Sequence, residues 1–153
     1  LASVASATDI AVLPGNATNT VIVTRVSVSC TQTTAGIIDL QLIKRSTADS
    51  AGTSAAITAV PHDSGNSAAV SAPLSYTANP TLGTAVGNID SVKLACLASA
   101  TATPADIYIW RPTMGQSIVL RGTAQQLAIN LNGVTITGSS FDITYSWIET
   151  TGL

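Results

Sequence analysis

Charge is what this sequence has least of. Its 153 residues carry six Lys and Arg against eight Asp and Glu, 9% charged with a net charge of −2, where an average soluble domain is about 25% charged. Six dispersed cations do not make the basic patch that phosphate binding needs, so nucleic acid is excluded as a partner. A single His and no acid-rich loop leave little to hold a metal or move a proton. The two Cys lack a CxxC spacing, no GxSxG elbow is present, and no apolar run approaches the roughly 18 to 20 residues of a membrane span. The amino-terminal residues lack the charged start and apolar core of a secretory leader. No enzyme, cofactor or metal site is expected.

What the chain does have is hydrophobic content, 46%, laid out in short alternating runs. Phe141, Ile143, Tyr145 and Trp147 alternate with polar residues, the period of a half-buried strand, and collect three of the six aromatic residues on one face. In Thr20 to Cys30, Ile22, Val26, Val28 and Cys30 fall on one face and Arg25, Ser27 and Ser29 on the other. Ile38, Leu40 and Leu42 follow in the next run, which reads as its antiparallel partner. Cys30 and Cys96 each sit on an apolar face and read as two buried thiols. Pro73 makes Ala69 to Tyr76 an edge strand. Asn132-Gly133 is a turn, and no run holds helical spacing over three turns. The expectation is an all-β, single-domain antiparallel β-sandwich over residues 9–153, jelly-roll-like with an immunoglobulin-like alternative, of about seven to nine short strands. Residues 1–8 are expected as a flexible amino-terminal arm.

The longest irregular stretch is Arg45 to Ser67, and a loop of that length in a compact domain is usually functional. Within it, Pro61-His62-Asp63-Ser64 places a Ser, a His and an Asp in sequence. Consecutive residues cannot converge on one reacting atom, so the reading is a proline turn with side chains bonded to nearby backbone. Lys44 and Arg45, the one adjacent basic pair, read as a solvated strand end. Ile107 to Trp110 turns either its isoleucines or its aromatics outward, and an outward Tyr108 and Trp110 would form a contact patch. Asn16-Ala17-Thr18 matches a glycosylation sequon that such a short pattern produces by chance.

Four segments, Leu42 to Ser46 (LIKRS), Ala59 to Ser64 (AVPHDS), Tyr76 to Pro80 (YTANP) and Ile118 to Gly122 (IVLRG), resemble small structural proteins of tailed bacteriophages and prophages. The resemblance runs from about Val21 to Glu149. It implies a virion protein of the capsid decoration, or cement, type: a homo-oligomer, dimer or trimer, on the head exterior, assembled in the bacterial host cytoplasm and clamping major capsid subunits. The alternatives are a head-fibre or receptor-binding module that stacks sugars, or a tail or neck component. Candidate contacts are Lys44, Arg45, His62, Asp63, Tyr108 and Trp110, with the arm and the long loop as contact elements.

Overall fold

The computed structural model describes residues 8–98, 107–134, 136 and 138–151, and among them the chain is all β with no helix. Its strands are β1 (Asp9–Pro14), β2 (Thr20–Gln32), β3 (Gly36–Arg45), β4 (Thr53–Ala56), β5 (Leu74–Ala78), β6 (Ala85–Ala98), β7 (Ile107–Trp110), β8 (Ile118–Leu120), β9 (Gln126–Asn130) and β10 (Ser140–Thr150). They join in the order β10-β2-β6-β3-β9-β1-β5-β4, with β7 and β8 also paired to β2. The pairing is antiparallel throughout except where Thr31 and Gln32 of β2 run parallel to Leu97 and Ala98 of β6. The sheet is therefore mixed, and it curls so that inward residues of β2 and β10 share one core with those of β3, β9 and β1. The expected arm Leu1 to Ala7 and the expected loop Ser99 to Pro104 lie outside the described residues.

Pairing departs from the sequence expectation in several places. β2 and β3 follow each other but do not pair: β2 lies against β10, and β3 lies between β6 and β9. Within β2 the inward face changes phase. Thr24 is an extra residue opposite the Ser146–Trp147 step of β10, so Val21 and Val23 are buried before it and Val26, Val28 and Cys30 after it, while Ile22 turns partly outward. The Thr24 hydroxyl donates to the Ser146 carbonyl at 3.1 Å, satisfying backbone at the bulge. The ten strands among the described residues exceed the expected number because β4 lies inside the expected loop. All four of its residues, Thr-Ser-Ala-Ala, are exposed, so no apolar alternation marks it, and ladder bonds to β5 alone define it. β5 begins after Pro73 and pairs on both sides, which makes β4 the edge.

Cys30 and Cys96 form a disulfide with a Cα–Cα distance of 5.1 Å, correcting the reading of two buried thiols. Alternation placed each on an apolar face, but only the parallel contact of β2 with β6 brings them opposite. The bridge spans 66 residues, and closing a loop of that length stabilises by about 4 kcal/mol in the chain-entropy description.

β9 is buried on both faces. Leu127 and Ile129 enter the main core while Ala128 packs with Val12, Ile43 and Tyr76 on the opposite side. On that second face Arg45 of β3 reaches across β9 to Asp9 of β1, donating through Nε at 2.6 Å and Nη2 at 2.8 Å, with both residues almost completely buried. Asn130 Nδ2 donates to the same carboxylate at 2.5 Å, and Arg45 Nη1 donates to the Gly83 carbonyl at 2.7 Å. Asp49 Oδ1 lies 3.3 Å from Arg45 Nε and accepts the Gly83 amide at 2.8 Å. Gly83 must be glycine here, since a Cβ would collide with the Thr47 carbonyl oxygen. Two carboxylates thus face one guanidinium in a dry site. Burial pushes the Asp49 carboxyl up to about 6, helped by the Asp9 charge and opposed by the Gly83 amide and Arg45. The stability this group lends is fully present below its ordinary value of 3.8 and is lost as pH rises through about 6.

Truncating one partner of a buried, hydrogen-bonded ion pair strands the other charge. Arg45→Met is expected to lower the unfolding free energy by about 3 to 5 kcal/mol, read by urea denaturation at pH 7. A loss under about 1 kcal/mol would show that water reaches the site.

Candidate binding cleft

A cleft of about 1020 Å³ opens between β10 and the segment 57–69. Pro61 lies within that segment and Pro73 just beyond it. Ile57 N donates to the Pro73 carbonyl at 2.8 Å, the last bond before the chain leaves β4, and Pro73 cannot donate in return. At Asp63 the chain turns: its carboxylate accepts from Gly65 N at 2.8 Å and its carbonyl from Asn66 N at 3.0 Å. Of the expected proline turn with His62 and Asp63 bonded to nearby backbone, the Asp63 bond is present, in a turn over residues 63–66 that begins after Pro61.

Glu149 secures the far end. Its carboxylate accepts Val70 N at 2.9 Å, Ser71 N at 2.8 Å, Asn19 Nδ2 at 3.1 Å and Trp147 Nε1 at 3.1 Å. Burial alone would push this group up, but the amides of Ser71 and Val70, with Trp147 and Asn19, hold it below the usual carboxylate range. Asn16 braces the same corner, donating to Ser71 Oγ at 2.9 Å and accepting from the Thr18 and Asn19 amides. The sequon asparagine is thus buried and engaged.

The inner wall is β10, whose residues 141–149 border the cleft in succession. Phe141 is fully buried, while Ile143, Tyr145 and Trp147 are half-buried and packed on the core. Tyr145 Oη donates across the cleft base to the Ala11 carbonyl at 3.1 Å. Burial, and after it the Asp9 charge, holds that phenol well above its ordinary value, so it remains a donor.

The six residues singled out from sequence fall in three places. His62 and Asp63 are exposed and border the cleft. Lys44 and Arg45 lie elsewhere and are not a solvated strand end: Lys44 is half-buried with Nζ donating to the Val119 carbonyl at 2.8 Å, and Arg45 is the buried cation of the Asp9 pair. Tyr108 and Trp110 do not form an outward patch. Tyr108 is buried with its hydroxyl donating to Asp90 Oδ2 at 2.9 Å, and Trp110, opposite Val26, packs on the core. Ile107 and Ile109 face outward instead. Glu149 was missed because an acid at a strand end looks like any solvated carboxylate, and three of its four donors come from the distant residues 19, 70 and 71. Trp147, two residues away, was the one local signal.

Among the described residues no group of three or more His, Cys, Asp or Glu is placed to hold a metal. Comparison with protein-family models, with curated proteins and with solved structures finds no match to this chain.

Glu149→Ala removes the acceptor for two backbone amides at once. The amides of Val70 and Ser71 are expected to exchange at least about tenfold faster in the variant, a loss on the order of 1.4 kcal/mol or more locally. In the native chain the clamp holds above pH 4.5 and weakens as pH falls through the lowered folded value. Unchanged exchange at both amides would place the anchor of this segment elsewhere.

Proposed function

We propose that this chain is a non-enzymatic structural protein of a phage virion, a decoration protein that binds the major capsid protein on the head exterior. The observation that carries the reading is the surface. Beside a charge content of 9%, large aliphatic side chains stand exposed on adjoining strands: Val86 and Ile89 on β6, Ile107 and Ile109 on β7. The hydrogen bond from Tyr108 to Asp90 ties those strands together. Exposed aliphatic residues with few charges between them mark surfaces that are covered in an assembly. A free monomer relies on charge to stay dispersed.

The likeness of LIKRS, AVPHDS, YTANP and IVLRG to phage structural proteins supports the same reading. So does the disulfide, a bond that persists outside the reducing cytosol and suits a particle that must survive after lysis. In this role the protein acts by burying surface between shell subunits, which adds an association energy opposing the pressure of packed DNA. Several contacts per oligomer make release cooperative through effective concentration. Sugar stacking on Tyr108 or Trp110, the basis for a receptor-binding module, loses its support because both rings are packed on the core.

Purified protein is expected to cosediment saturably with capsids that lack it and to raise their survival on heating. Ile107→Asp with Ile109→Asp should weaken that binding at least about tenfold without lowering the melting temperature, since both side chains are exposed. Absence of capsid binding, with the protein found on tails or on cells, would contradict the decoration role.

A further inference from the structure

The cleft beside β10 follows the edge of the strand rather than one of its faces. Every residue from Phe141 to Glu149 borders it in succession, whereas neighbouring side chains of a strand point to opposite faces. β10 is bonded to β2 along its other side over its whole length, and no described strand pairs with it here. At about 3.3 Å per residue the edge over 142–149 extends roughly 26 Å. Edges of that length are normally shortened, covered, or protected by Lys or Pro. Residues 141–149 contain no Lys, Arg, Pro or Gly, and the segment 57–69 stands off from them across about 1020 Å³ instead of pairing. The space is also charged in one sense. Carboxylates of Asp63, Asp142 and Glu149 border it against the His62 imidazole, with no Lys or Arg.

We propose that the free edge of β10 accepts an extended, cationic segment of a partner protein as an added strand, held by main-chain hydrogen bonds along 142–148 and by attraction to Asp63 and Asp142. That the donor is a shell subunit rests on the decoration reading. Strand addition draws its affinity from main-chain bonds and its selectivity from alternate side chains. Here the inward side chains of the added strand meet Ile143 and Tyr145, and its flanking cations meet the exposed carboxylates. The donor is therefore a strand of small or β-branched residues with Lys or Arg near its ends.

The test uses the whole chain and two blocked peptides, Lys-Thr-Val-Thr-Val-Thr-Val-Lys and its Glu-flanked counterpart. The Lys-flanked peptide at ten times its Kd is expected to slow exchange of cleft-facing amides within 142–148 about tenfold, leaving β9 unchanged. The Glu-flanked peptide should bind at least tenfold more weakly. Asp142→Lys, an exposed substitution, should reverse that preference. Equal binding of both peptides, perturbation away from β10, or binding of a neutral oligosaccharide in place of either peptide would overturn the proposal. Capsid cosedimentation of Asp142→Lys separates the two readings. If peptides pair with β10 but capsids are not bound, the edge stands and the shell is removed as donor. If capsids are bound as before and no peptide pairs, the edge proposal falls and the decoration role stands.

Discussion

Arg45 and Asp9 are charges without access to water, and the sheet around them is arranged so that neither is left alone. They sit on β3 and β1, the two neighbours of β9, so the ion pair spans three strands. Such a pair adds little net stability over apolar residues of the same volume, yet losing either half is costly. Its structural value is registry. The bidentate geometry and the Asn130 amide are satisfied together only when Asp9 stands opposite Asn130 and Arg45 opposite Gln126, which is the observed register.

Once that second face is closed, the main core is free to be purely apolar. β9 presents Leu127 and Ile129 to it, and the curl of the sheet brings Val23, Val26 and Phe141 down on them. The disulfide then secures the point where the sheet turns, at the short parallel contact of β2 and β6. What remains outside this frame is the outer side of β10 with the segment secured by Glu149, and the aliphatic residues of β6 and β7. The elements that hold the fold and the surfaces proposed for recognition therefore lie in different parts of the chain, and exposed positions at the cleft can change without weakening the core.

Much of this was legible in the sequence where alternation is unbroken. The inward row Phe141, Ile143, Tyr145, Trp147 and the row Ile38, Leu40, Leu42 lie as their period of two requires. The turn at Asn132-Gly133 forms with φ of 53° and 75° and a Val134 N to Leu131 O bond of 3.0 Å. Legibility ended where a fact depends on two distant segments. The Thr24 bulge reverses parity with no sequence mark, which misplaced Ile22. Arg45 looked solvated because its partner lies 36 residues away, and the cysteines looked free because strand neighbours cannot be deduced from period. The cleft was half visible: His62 and Asp63 drew notice as an odd cluster, while Glu149, which shapes the site, had only Trp147 two residues away as a local signal.

A doubly buried β9, locked by the Asp9–Arg45 pair, is the frame that carries the outer edge of β10 and the segment 57–69. Residue-resolved native-state hydrogen exchange on the free protein tests it most directly. The account predicts that amides of Leu127 to Asn130 exchange only through global unfolding, the slowest in the chain, while cleft-facing amides of β10 and residues 57–70 open at far lower free energy. Exchange in β9 as fast as in β10 would contradict it, because the frame and the edge would then open as one unit.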